Sequence, residues 1–195
     1  MMMEKIFTSV AIFAVALMVA TAGLGLWLGD LHGQTDQAIL RWGTVHRLSG
    51  VLAALVVVLV NSMSVTYFIG TARWCREVVE TYRLSDNFIL RSKVIKRRSF
   101  PFALFGMLSV VGIVALGGAA DPAAGRRGSE AWVTPHLLGG LALTGVIAAC
   151  FQCQRAKISE QQSLIEDVLV EVRAMREARG LDVEPNEVPV GSVEA

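Results

Sequence analysis

The chain has 195 residues, of which 53% are apolar and 18% charged, and its formal net charge is +1. That balance offers no electrostatic case for a nucleic-acid partner or an acidic substrate. It is also too apolar for an ordinary soluble domain of this size.

The apolar residues collect in blocks of about 20, the length a helix needs to cross roughly 30 Å of hydrocarbon. Four blocks qualify, at about 6–28, 45–69, 100–120 and 132–151, and Arg47 is the one formal charge inside them. A helix pairs its own backbone groups, so each block reads as a helical span. The fold class expected is therefore all-α: an integral membrane four-helix bundle over residues 1–154. The first block has a competitor, because Ala20-Thr-Ala-Gly23 resembles a signal-peptide cleavage site. The apolar run continues through Leu24, Leu26, Trp27 and Leu28, so the block is read as a retained span.

Lys and Arg set the orientation. Lys5, the segment between spans two and three, and the tail after span four hold 14 of the 18 basic residues. Arg41, Arg47, Arg126 and Arg127 hold the other side. Both chain ends are expected in the cytoplasm, in a membrane of the bacterial inner type.

The central segment, 71–99, is not a featureless linker. Trp74, Val78, Val79 and Tyr82 recur at helical spacing, and Phe88, Ile89, Leu90, Val94 and Ile95 recur among basic residues. Two short amphipathic helices, broken near Ser85-Asp86-Asn87 and lying at the inner interface, fit this pattern. Residues 155–180 continue span four as an amphipathic helix, with Ile158, Ile165, Val168, Leu169, Val172 and Met175 on one face and Gly180 as a stop. The apolar faces of 73–97 and 158–175 suit self-association or a protein partner, and equally a fold of the tail back onto the central segment. Residues 181–195 are acidic and contain Pro, and read as disordered.

The sharpest signal is an internal repeat. Trp42-Gly-Thr44-Val-His46-Arg-Leu48-Ser-Gly50 and Trp132-Val-Thr134-Pro-His136-Leu-Leu138-Gly-Gly140 share five of nine positions at a constant offset of 90, as W-x-T-x-H-x-L-x-G. Asp30 and Asp121 each close the span before, followed by Gly33 and Gly125. The bundle is thus read as two parallel helix-pair repeats, related by an axis along the membrane normal. Spans two and four then run the same way, and His46 and His136 lie at one depth, facing a common volume. Two imidazoles so placed can serve as axial ligands of a haem iron. Gly50 and Gly140, one turn along, would leave room for the porphyrin. Thr44 and Thr134 read as helix N-caps or partners of the imidazoles, and Trp42 and Trp132 as interface-belt residues.

On these residues the chain resembles the four-helix membrane cytochromes of b type, in particular one half of haem A synthase. That family pairs a helix-two His with a helix-four His on a parallel repeat, and His46-Arg47-Leu48 looks like its His-Arg-Leu pattern. The resemblance implies haem b, with His46 and His136 as its ligands. It departs before the first His, where Gly43, Thr44 and Val45 stand in place of an acidic residue, and it lacks a second four-helix half. What carries over is haem binding rather than haem A synthesis. The function expected is electron transfer, exchanging electrons with quinol or a partner subunit near the outer face. The alternative is a non-catalytic membrane anchor or scaffold subunit.

Other signals are weaker. Cys75, Cys150 and Cys153 belong to the reducing face, where C-x-x-C on a continuous helix reads as small apolar residues before it reads as a metal or redox site. Asn61, Ser62, Ser64 and Thr66 read as interhelical hydrogen-bonding groups, or else as the wall of a quinone pocket. His32 reads as an exposed outer-loop residue.

Overall fold

The computed structural model describes residues 2–181. Four helices make up nearly all of it: α1 (Met2–Leu28), α2 (Gln37–Tyr82), α3 (Asn87–Ala120) and α4 (Val133–Ala178). Two 3-10 turns, Pro122–Ala124 and Ser129–Trp132, join α3 to α4. All four helices are long and apolar enough to cross a membrane. Their outward residues agree with that, since Ile12, Leu48, Leu55, Val111 and Leu138 are all more than half exposed. In water such a surface would aggregate; in lipid it is the expected exterior. The chain is an integral membrane protein.

Each helix packs against its neighbours in sequence, α1 also packs against α4, and α2 meets α4 across the diagonal. Short connections make successive helices antiparallel, so α2 and α4 run the same way. Helix α1 is a full member of the bundle. Its Phe7 is buried edge-on against Phe151 of α4, with ring centres 6.2 Å apart, and Ala14 and Met18 are buried further along.

The helices are longer than the sequence blocks. Helices α2 and α4 have 46 residues each, about 69 Å at 1.5 Å per residue, against roughly 30 Å of hydrocarbon. The central segment therefore does not form separate interfacial helices. It continues α2 and α3 without a break and turns once, at residues 83–86. There Arg83 takes the left-handed conformation (φ 55°) and Leu84 donates its N–H to the Val79 carbonyl. The break expected near Ser85 is in place; the helices on either side are extensions of spans.

The continuation of α4 packs between these extensions, forming a three-helix stalk. Its buried residues are Ile158, Gln161, Leu164, Val168 and Val172. They meet Cys75 and Val79 of α2 and Phe88 and Ile95 of α3 in one core. The register differs from the expected apolar face: Leu169 is exposed and Ile165 half-buried, while Gln161 is wholly buried. Gln161 fits because its amide donates to Ser92 Oγ at 3.1 Å, and Arg91 binds Asp167 at 3.2 Å beside it. Of the alternatives for these two faces, the tail packs back onto the central segment within the chain. The segment read as disordered lies outside the described residues, apart from Leu181.

Candidate functional site

The bundle opens into a cavity of about 480 Å³ at the end away from the stalk, walled by all four helices. Ligand pockets commonly run from roughly 300 to 1,000 Å³. Its walls are mostly apolar; His46 from α2 and His136 from α4 line it, together with Asp30, His32, Arg47 and Asp121. Their ring centres lie 6.3 Å apart, with the ring planes at 73°. The pairing follows from the architecture, since α2 and α4 run alike and meet across the diagonal. Gly50 and Gly140 also line the cavity, and a side chain at Gly140 would project into open space.

The two rings are held differently. His46 Nδ1 lies 3.1 Å from the Thr21 carbonyl of α1. A carbonyl only accepts, so Nδ1 carries the proton and donates, which leaves Nε2 as the free lone pair. His136 Nδ1 is buried with no hydrogen-bond partner among the described residues. A buried ring nitrogen left unpaired calls for an explanation, and a guest in the cavity would supply one.

Each ring rests on a glycine of the preceding helix. A Cβ on Gly25 of α1 would come within 2.8 Å of His46 Cε1, and a Cβ on Gly117 of α3 within 3.1 Å of His136 Cε1. Neither glycine stands out in the sequence, because the pair does not keep step with the repeat: Gly25 and Gly117 are 92 positions apart, whereas the histidines are 90 apart. We expect Gly25→Ala to push the His46 ring off its seat and Gly117→Ala, with slightly more room, to act more mildly. Thermal stability and the binding of any ligand to the cavity, measured side by side, check that order. Equal behaviour of both variants and the parent would argue against the seats.

The threonines are not placed as expected. Helix α2 begins at Gln37, well before Thr44, and is capped by the Asp36 carboxylate, which accepts from Ala38 N–H at 2.8 Å. Thr44 is therefore inside the helix and exposed, donating back to the Leu40 carbonyl at 3.2 Å and accepting from Arg47 at 3.1 Å. Helix α4 has Trp132 as its N-cap, so Thr134 lies within the first turn, and it too is exposed. Neither threonine lines the cavity, so neither caps its helix nor partners an imidazole.

Charged groups rim the mouth. Arg47 binds Asp121 at 3.0 Å, tying α2 to the end of α3. His32 is not a free loop residue. Its backbone N–H and ring both meet the Asp30 carboxylate, and its Nε2 lies 2.8 Å from Ser129 Oγ, across to the other half of the bundle. Those bonds from His32 hold the Asp30 carboxyl below its usual range.

Toward the stalk, Gln154 donates to Asn61 Oδ1 at 3.0 Å, and Asn61 donates to the Val57 carbonyl at 2.8 Å, both residues wholly buried. Asn61 thus bonds across helices as expected, while Ser62 and Thr66 are exposed. Cys75, Cys150 and Cys153 are free thiols. Among the described residues no group of three or more His, Cys, Asp or Glu is arranged to hold a metal ion. No family model, curated protein or solved structure matches the chain.

Proposed function

We propose that the cavity binds haem b between His46 and His136, and that the protein is a membrane electron-transfer protein exchanging electrons with quinol or a partner subunit. The observation that carries this reading is the pair of imidazoles, from two parallel helices, 6.3 Å apart on one cavity. His46 and His136 would hold the haem iron, with Gly50 and Gly140 on the same cavity wall. The Thr21 carbonyl favours the His46 tautomer that presents Nε2, as the outer partners of metal-binding histidines commonly do. The apolar walls would exclude water and lower the local dielectric. Bound there, the haem supplies one-electron chemistry. The W-x-T-x-H-x-L-x-G repeat and the resemblance to the b-type cytochromes point the same way. A visible spectrum of the purified protein, oxidised and then reduced with dithionite, tests the reading: sharp low-spin b-type bands are expected, and their absence after expression with ample haem would sink it.

The second reading, an anchor or scaffold subunit, is favoured by one feature, the stalk that α2, α3 and α4 build beyond their spans. We also infer that the stalk and both chain ends are cytoplasmic, in a membrane of the bacterial inner type, from the 14-to-4 division of basic residues. Reporter fusions at Arg91 and Ser192 should read as cytoplasmic and one at Gly125 as external. A cytoplasmic signal at Gly125 would overturn this orientation.

A further inference from the structure

Where α3 enters its apolar stretch, Val94, Arg97, Arg98, Pro101 and Phe102 line a groove closed on the other side by Lys157 of α4. The five α3 residues follow helical spacing and form one stripe. Three cations therefore meet in one place. Lys157 is also paired with Glu160 at 2.6 Å, a carboxylate that does not line the groove. Neither Arg97 nor Arg98 has an ion-pair partner among the described residues.

The same face of α3 continues into the membrane as Phe105 and Leu108, exposed by 59% and 56%. A cationic end thus passes directly into an apolar track. Pro101 adds a polar feature, because it has no N–H to give to the Arg97 carbonyl. That carbonyl needs a donor from elsewhere.

We propose that this groove binds an anionic phospholipid, its phosphate held by Arg97, Arg98 and Lys157 and an acyl chain lying along Phe105 and Leu108. Basic pockets beside spanning helices suit such headgroups, each Lys or Arg near the surface adding attraction. Arginine also matches phosphate geometry through paired N–H donors. The site is independent of the histidine cavity at the far end of the bundle.

The test uses the full chain in detergent, titrated with phosphatidylglycerol or phosphatidylcholine, with bound lipid counted by native mass spectrometry. Phosphatidylglycerol should be preferred. The double variant Arg97→Gln, Arg98→Gln should lose about thirtyfold in its affinity, in line with two lost surface cations. The double variant Lys93→Gln, Lys96→Gln removes the same charge outside the groove and should lose much less. Far-UV circular dichroism checks that both variants remain helical. Equal losses in the two variants, no preference for the anionic lipid, or displacement of the lipid by an equal concentration of inorganic phosphate would each overturn the proposal.

Discussion

Replacing either His46 or His136 by Ala should abolish the low-spin bands expected of the protein. Loss of an outer partner of a metal ligand already costs roughly 10- to 100-fold in affinity, so loss of the ligand itself should cost at least about a hundredfold. The variants should still fold, because each ring lines a cavity rather than filling a core. His32→Ala is the informative control. It breaks the bridge to Ser129 and frees Asp30 but removes no group from between the two rings. It should keep the bands while loosening the loops at the mouth. Haem spectra unchanged in both His46→Ala and His136→Ala would show that the cavity is not the site.

Loss of the α4 continuation should produce the largest change in stability. Truncation after Gln154 removes Ile158, Leu164 and Val168, all wholly buried, and uncovers Cys75, Val79, Phe88 and Ile95. The stalk should then open, and protease should cut between Arg73 and Arg98. A point substitution gives the graded version: Leu164→Ala should cost about 2–5 kcal/mol, the usual range for a buried leucine. Thermal unfolding and limited proteolysis check both. An unchanged melting temperature and protease resistance would mean that the continuation does not hold the stalk together.

The legibility of the fold varies with the reach of each signal. The four spans and the turn near Ser85 can be read from the sequence, because hydropathy and helix breaks are properties of neighbouring residues. The histidine pair is legible through the W-x-T-x-H-x-L-x-G pattern, which sets His46 and His136 at matching positions of the sequence. Gly25 and Gly117 are not, because a ring seat depends on how one helix leans on another. The threonines mislead because helix α2 starts at Gln37, outside its apolar block. His32 misleads because its partner, Ser129, is 97 positions away.

The class of the protein and its spans follow from local composition, since a run of apolar residues long enough to cross lipid has few other solutions. The candidate histidines are legible in the same way. Which face of the α4 continuation is buried depends instead on the helices packed against it. A polar Gln161 took a core position there because Ser92 on α3 could accept its hydrogen bond, and no periodicity within α4 carries that information. The same holds for Asn61 and Gln154, and for the cavity itself. Each arises where helices distant in sequence meet, and the hydrogen bonds and spaces at such meetings depend on side chains from both sides.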